Sequence, residues 1–250
     1  MPRQRRRTTL PTVMPPLFED LDFNGPLSSA RADQLLTTLG PLEGRRVVDL
    51  GCGWGELLLR AVARGAVGHG VDLDAAAIEH GRATAEARGL AVTLEVGDAG
   101  AWTGSADVVI VNGATHVWGG DPVDHTANAL RAVHELLRPG GRLLLGEGFW
   151  QVPPSAERLA VMPMVREEYR SMAELVDLAL DHGYQLLHLS QATLDEWDDF
   201  ESRHALGRQR WLQANPDATD VAARAAAHRT AWLRGWREVL GMAYLTLLKP

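Results

Sequence analysis

Cysteine and long apolar stretches are the two features that this sequence lacks most clearly. Cys52 is its single cysteine, so no disulfide can form within the chain and nothing points to an oxidising compartment. No run of about 18 apolar residues occurs, so we expect no membrane-spanning helix. Arginines at positions 3, 5, 6 and 7 are not followed by an apolar segment, so no secretory signal is expected. These absences predict a cytoplasmic protein with no membrane partner.

Positive charge is also scarce. The chain has 25 lysines and arginines against 32 aspartates and glutamates, which gives a formal net charge of −7. Because nucleic-acid binding is driven by basic surface, this balance argues against a nucleic-acid partner and favours a small neutral or cationic ligand. The first arginines belong to residues 1–14, which we interpret as a solvated, mobile tail. An arm that binds phosphate groups is the alternative.

What the sequence does contain is a regular alternation of short apolar runs and amphipathic stretches. The apolar runs lie at residues 46–50, 68–73, 92–96, 107–111 and 142–146. Strand and helix patterns alternate four times along them, which is typical of a parallel sheet with right-handed crossovers. Two further strands are expected at 184–189 and 242–248. The chain has 250 residues, 46% of them hydrophobic, so residues 15–250 are expected to form one domain. The predicted fold class is α/β, with a doubly wound, mostly parallel seven-stranded sheet.

Between the last two predicted strands lies a long stretch, residues 194–240, with apolar and aromatic residues three or four positions apart. Leu194, Trp197, Phe200 and His204 show this spacing, which indicates helices. We therefore expect a helical insertion between two strands that need only a short connection. Its tryptophans are either ordinary packing residues or part of a cap over a ligand pocket.

A glycine-rich turn joins the first predicted strand to the next helix. The chain reads VVDLGCGWG from position 47 to position 55. Glycines let the backbone turn sharply and approach a ligand where open α/β sheets bind one. A dinucleotide fingerprint needs the spacing G-x-G-x-x-G, whereas this chain has G-x-G-x-G. Asp49, two residues before Gly51, would also repel a pyrophosphate, which argues against a nicotinamide-dependent oxidoreductase. A carboxylate there suits a ligand that carries an amino group and a sulfonium.

Acidic residues also follow the next two predicted strands. Asp72 ends the second strand about 20 residues beyond the glycine turn, where a carboxylate can accept both hydroxyls of a ribose. Leu73 follows it and can press on one face of an adenine. Asp98, followed by Ala99, comes after the third strand, where its side chain can accept a hydrogen bond from an exocyclic amine. Acidic residues at three consecutive strand ends indicate one binding site more specifically than any one of these residues does alone.

These elements, in this order, resemble the class I S-adenosylmethionine-dependent methyltransferases. The similarity covers residues 25–150, and the remaining strands fit the family's seven-stranded sheet, in which the seventh strand is antiparallel. The resemblance implies that S-adenosylmethionine is the cofactor. The implied cofactor-binding residues are Asp49, Gly51 and Gly53 at the methionine end, Asp72 at the ribose, Asp98 at the adenine, and Leu73, Ala99 and Asn112 in the same site.

The loop after the fourth predicted strand is expected to face the transferable methyl group. It reads NGATHVWGG from position 112 and resembles a Gly-x-Ser/Thr-His-x-aromatic-Gly loop of bacterial small-molecule methyltransferases. This resemblance implies methyl transfer by in-line displacement to an oxygen, nitrogen or carbon nucleophile of a small organic acceptor. Histidine can accept a proton near neutral pH, so His116 is the candidate base, with shaping of the loop as its alternative role. Glu147, after the fifth strand, is the second catalytic candidate and otherwise caps the next segment.

Three other possibilities concern a metal, the reaction and the assembly. His116, Asp121, Asp124 and His125 fall within ten residues, but Asp124 is expected to cap a helix that His125 begins, so no catalytic metal is predicted. A protein that binds S-adenosylmethionine without methyl transfer, as a regulator or as a catalyst of another reaction, would share the fold. The sequence also leaves a homodimer open.

Overall fold

The computed structural model describes residues 17–250. The predicted basic tail, residues 1–14, lies outside these described residues. Within this part of the chain, no helix combines the length and the apolar character needed to cross a membrane.

Seven strands form one sheet. They are β1 (Arg46–Leu50), β2 (Val67–Asp72), β3 (Val92–Val96), β4 (Ala106–Asn112), β5 (Leu137–Trp150), β6 (Gln185–Gln191) and β7 (Leu240–Leu248). Their order across the sheet is β3-β2-β1-β4-β5-β7-β6. Neighbours from β3 to β5 are parallel, whereas β7 is antiparallel to both β5 and β6. The predicted α/β fold with a mostly parallel seven-stranded sheet is confirmed.

Helix α1, which begins at Ser29, precedes β1, and the other helices lie in connections between the strands. The helices are α1 (Ser29–Thr38), α2 (Glu56–Val62), α3 (Ala75–Ala87), α4 (His125–Leu136), α5 (Ala156–Leu159), α6 (Met172–Asp181), α7 (Leu194–Ala214) and α8 (Thr219–Ala231). Several starts are fixed by side chains that accept backbone N–H groups. Asp74 caps α3, and the pairs Ser171–Glu174 and Thr193–Glu196 form capping boxes at α6 and α7.

Strand β4 shows how the two faces of the sheet are covered. Val108 and Ile110 pack into a buried cluster that contains side chains of α1 and α2. Val109 and Val111 pack into a second cluster, which contains side chains of α4 and α6. Successive residues of a strand point to opposite faces, so a nearly all-apolar strand is the one that lies between two helical layers.

The fifth strand is longer than its apolar run predicts. The run ends at residue 146, but β5 continues to Trp150 because its last four residues pair with β7. The alternation then places Gly146 on the α1/α2 face with Leu144, and Glu147 on the α4/α6 face. This extra length decides on which side of the sheet Glu147 lies.

Helices α7 and α8 are joined by residues 215–218, and a π-helical turn, Trp232–Trp236, leads from α8 towards β7. The segment is attached to the α1/α2 face through Glu196, whose carboxylate accepts hydrogen bonds from Ser28 Oγ at 2.7 Å and Arg31 Nε at 2.9 Å. Arg237 pairs with Asp198 at 2.8 Å and so joins the start of α7 to the chain entering β7. The two ends of the segment are thus held together on one side of the sheet.

Candidate functional site

A cavity of about 560 Å³ opens at the carboxyl ends of β1, β2 and β4. The chain leaves β1 towards β2 on one side and later returns to place β4 on the other, so the cavity lies where the strand order reverses. Open α/β sheets bind their ligands at this point. The sequence-predicted residues that line it are Asp49, Gly51, Gly53, Asp72, Leu73, Asp98, Ala99, Asn112 and His116.

The glycine turn forms one wall of the cavity. Gly51 and Gly53 have φ angles of +75° and +56°, a region that favours glycine. A Cβ atom at Gly51 would lie 2.4 Å from Cβ of Ala114, so a side chain there would collide with the loop after β4. Both backbone conformation and space therefore require glycine at position 51.

Asp49 is a buried carboxyl at the base of the cavity, with 3% of its surface exposed. Burial, followed by the negative charge of Asp72, raises its pKa to about 8. A positive group of a ligand would oppose both effects, because it stabilises the ionised carboxylate. The geometry therefore favours a cationic ligand at this end of the cavity.

Asp72 is oriented by the turns on either side of it. Its Oδ2 accepts the Gly53 N–H at 2.7 Å, and its Oδ1 accepts the Asp74 N–H at 2.9 Å. Each carboxylate oxygen can accept further hydrogen bonds, so both remain acceptors for hydroxyl groups of a ligand. The neighbouring Leu73 is 72% exposed and lines the cavity, so it leaves an apolar surface available to a flat ring.

Asp98 and Ala99 line the cavity next to the end of β3. Asp98 Oδ1 accepts the Gly100 N–H at 2.9 Å, which fixes the carboxylate at the start of a short 3₁₀ turn, Ala99–Ala101. The remaining acceptor positions of the carboxylate suit an amine of the ligand.

The loop after β4 closes another side of the cavity. Asn112 Oδ1 is buried and has no hydrogen-bond partner within residues 17–250. Buried acceptors are nearly always paired in native proteins, so this oxygen suits a donor group of a ligand. His116 follows in the 3₁₀ turn Thr115–Trp118, with an exposed ring that lines the cavity. The structure thus brings the glycine turn, the acidic residues and His116 to one cavity.

Glu147 lies elsewhere, on the α4/α6 face of the sheet. Among the described residues it is not one of those that line the cavity. Its Oε1 accepts the Gly148 N–H at 3.0 Å, while the buried Oε2 has no hydrogen-bond partner in the described part of the chain. Burial raises the pKa of Glu147, although Thr115 and Gly148 act in the opposite direction. From this location, the Glu147 side chain is suited to support the loop that carries Thr115 and His116.

The structure also places the residues near His116 that the sequence offered as possible metal ligands. Asp121 Oδ1 accepts the Val123 N–H at 3.2 Å and so caps a short 3₁₀ turn. Asp124 precedes α4 but makes no side-chain cap hydrogen bond, contrary to the sequence-based expectation for this residue. The ring centroids of His116 and His125 lie 6.5 Å apart.

Sequence reasoning missed one wall of the cavity, formed by residues 17–27, which we call the N-terminal strap. Asp22, Phe23 and Asn24 of this strap line the cavity, and the Asp22 carbonyl accepts a hydrogen bond from Trp54 Nε1 at 2.8 Å. A signal existed in the polar, glycine- and proline-containing stretch before α1, but no periodicity shows where such a strap will lie.

Helix α7 holds this strap in place. Arg203 pairs with Asp22 at 3.1 Å, and Arg210 pairs with Asp20 at 2.8 Å. A second cavity of about 220 Å³ lies between the strap and α7, and Asp22 and Phe23 line both cavities. Trp197 packs against buried residues of the α1/α2 face. The helical segment therefore adjoins the main cavity through the strap.

Comparison with known proteins gives consistent matches. A family model described as a methyltransferase domain matches residues 47–141. A crystal structure of an S-adenosylmethionine-dependent methyltransferase from Geobacter sulfurreducens, in complex with S-adenosyl-L-homocysteine, has a TM-score of 0.86 and 29% identity over 94% of this chain and 96% of that chain. A second such complex, from Thiobacillus denitrificans, has a TM-score of 0.84 and 29% identity over the same shares. Escherichia coli (strain K12) protein YjhP is 28% identical over 236 residues, 90% of this chain and 93% of that protein.

Proposed function

Because the chain belongs to the class I S-adenosylmethionine-dependent methyltransferases, with S-adenosylmethionine as its cofactor, we propose that it methylates a small organic acceptor by in-line displacement, with His116 as the base. One observation carries this proposal: His116 lines the same cavity as the glycine turn and the acidic residues at the ends of β1, β2 and β3. A side chain that can accept a proton thereby stands in the cavity that suits the cofactor.

The chemistry of the lining residues fits this cofactor. The buried Asp49 suits the positively charged methionine end, where the backbone of Gly51 and Gly53 allows close approach. The two oxygens of Asp72 suit the ribose hydroxyls, and the exposed Leu73 suits a face of the adenine ring. The unpartnered Oδ1 of Asn112 offers one more acceptor.

The cofactor supplies an electrophilic methyl group, so the chain itself must position a nucleophile and remove its proton. His116 is suited to both tasks. A neutral imidazole nitrogen can accept a proton from a hydroxyl, an amine or an acidic carbon near pH 7. The glycines at 119 and 120 have positive φ angles and let the loop turn back behind the histidine.

The acceptor is a compact molecule rather than a macromolecule in this proposal. The net charge of −7 disfavours nucleic acid, and the strap, which Arg203 of α7 holds in place, lines one side of the cavity. We further propose that residues 194–240 form a cap over the acceptor, with Trp197 among its residues. The contacts of Glu196 with α1 and of Arg203 with the strap support this position.

Two substitutions of His116 test the proposed base. His116→Ala and His116→Asn are expected to slow single-turnover methyl transfer by roughly 100- to 10,000-fold, because neither side chain can take up the proton. Cofactor affinity, measured by calorimetry, should change little. His125→Asn is the matched control, because this nearby histidine does not line the cavity within the described chain. Near wild-type transfer by both His116 variants would assign His116 a structural role.

A further inference from the structure

A group of metal-type ligands lies inside the helical segment, apart from the cofactor cavity. Glu201 and His204 lie three residues apart on α7, so they share one side of the helix, and His228 approaches them from α8. One ligand atom of each residue lies within 4.8 Å of the other two. We propose that Glu201, His204 and His228 bind a divalent transition-metal ion of the zinc type, which ties α7 to α8.

The distances allow one ion to contact all three side chains. Glu201 Oε2 is 2.7 Å from His228 Nε2 and 4.0 Å from His204 Nδ1. In a tetrahedral site with bonds of about 2.1 Å, ligand atoms are separated by roughly 3.4 Å. The two observed separations lie on either side of this value, so small side-chain rotations bring the atoms to a common centre.

A buried nitrogen without a partner points to a ligand at this place. His204 is 7% exposed, and its Nδ1 has no hydrogen-bond partner among residues 17–250. Buried polar atoms in native proteins are nearly always paired with a protein group, a water molecule or an ion. Metal coordination would satisfy this nitrogen.

Glu201 is already held in a ligand-like orientation. It is 2% exposed, and its Oε1 accepts the Trp236 Nε1–H at 3.0 Å, which leaves Oε2 directed towards His228. Ligating carboxylates are themselves usually oriented by such additional hydrogen bonds. Trp236 therefore acts as the supporting residue of the site.

The donor set decides the class of metal. Two imidazoles and one carboxylate suit Zn²⁺ and its neighbours in the first transition series, whereas Ca²⁺ and Mg²⁺ prefer oxygen ligands. Three protein ligands leave a fourth position for water. Because all three lie in the α7/α8 pair, the expected effect of the ion is to stabilise this segment.

One charge opposes metal binding. Arg208 lies one turn beyond His204 on α7 and interacts electrostatically with both His204 and Glu201. Its positive charge should weaken the affinity for a dication. Removing this charge therefore gives a test in the direction opposite to ligand removal.

The experiment uses the untagged full chain after treatment with a chelator. Zn²⁺ is titrated by calorimetry, and Co²⁺ is followed by its visible absorption. The expected result is one ion per chain and a rise in melting temperature with Zn²⁺. His204→Ala and His228→Ala are each expected to weaken binding by at least roughly 10- to 100-fold, the loss that even outer ligand-supporting residues cause. Arg208→Gln is expected to strengthen it.

His69 provides the matched control. Its Nε2 lies 3.1 Å from Glu95 Oε2, which makes a similar histidine–carboxylate pair elsewhere on the protein, so His69→Ala should leave metal binding unchanged. Circular dichroism checks folding. If His204→Ala does not fold, the His228→Ala variant tests the proposal, because His228 is only half-buried. The proposal is overturned if neither ion binds stoichiometrically, or if both ligand variants bind as wild type does. The proposal is also overturned if His228→Ala lowers the melting temperature but the wild type binds no metal. That result would show that His228 and Glu201 form only a hydrogen-bonded pair.

Discussion

At the residue scale, Asp49 makes the affinity for a cationic ligand depend on pH. Burial and the neighbouring Asp72 raise its pKa to about 8, so most of the free protein carries a protonated Asp49 near pH 7. A cationic group beside it favours the ionised form. Cofactor binding at about pH 7 should therefore release a proton from Asp49, and affinity should rise as pH increases from below about 7 towards about 8.

Calorimetry in buffers with different ionisation enthalpies measures this proton release. Asp49→Asn removes the titrating group, so the release attributed to it should disappear in this variant. An equal release by wild type and by Asp49→Asn would show that another group titrates, and would contradict the proposed role of Asp49.

Asp72 provides a second test of the cofactor site. Asp72→Ala removes a carboxylate that lines the cavity and should weaken cofactor binding by about 1.5–3 kcal/mol, which is roughly 10- to 150-fold. Asp74→Asn is the matched control, because Asp74 caps α3 and asparagine caps equally well. Calorimetry that finds unchanged affinity in a folded Asp72→Ala variant would remove Asp72 from the site.

The location of the Glu147 side chain could not be predicted from the sequence. Its position directly after an apolar run made Glu147 the second catalytic candidate. The strand continues to Trp150 through pairing with β7, and alternation then places Glu147 on the α4/α6 face. Pairing with a strand nearly 100 residues later leaves no local signal in the sequence.

At the scale of elements, Glu196 is the main polar connection between α7 and α1. Although burial acts to raise it, hydrogen bonds from Arg31 and Ser28 hold the pKa of Glu196 at about 2. Glu196→Gln should therefore lower the free energy of unfolding by about 1–3 kcal/mol at neutral pH. The ionised carboxylate stabilises the fold above its unfolded pKa of about 4.3, and this contribution is lost as pH falls towards 2.

Thermal unfolding of both proteins between neutral and acidic pH checks this prediction. The difference in melting temperature between wild type and Glu196→Gln should shrink as pH falls below about 4.3. Asp195→Asn, a change at the exposed neighbouring carboxylate, should have little effect at any pH. A difference that does not depend on pH would contradict the role of the Glu196 charge.

The N-terminal strap is the element that the sequence did not reveal. The strands and the glycine turn carry periodic and compositional signals, so their order and the meeting of Asp49, Asp72 and Asp98 could be predicted. The strap is positioned instead by ion pairs to α7 and by the hydrogen bond from Trp54. Those partners are distant in sequence, and irregular segments have no pattern that identifies such contacts.

At the scale of the whole molecule, the topology explains why so much of the site was predictable. A parallel sheet brings consecutive strand ends to one edge, and the strand order reverses between β1 and β4. Residues that follow three strands thus reach one cavity without any contact being known beforehand. In the proposed function the acceptor is bound between the strap and a cap formed by residues 194–240, and the arrangement of both follows from long-range packing.

In the proposed function, this enzyme moves a methyl group to a small molecule. The most direct measurement incubates the protein with methyl-labelled S-adenosylmethionine and a metabolite extract, and follows the label by mass spectrometry. We predict label in a small organic product with wild type and with His125→Asn, and at least roughly 100-fold less with His116→Asn. Normal cofactor binding with no label in any small molecule, or label only in protein or nucleic acid, would contradict the proposed function.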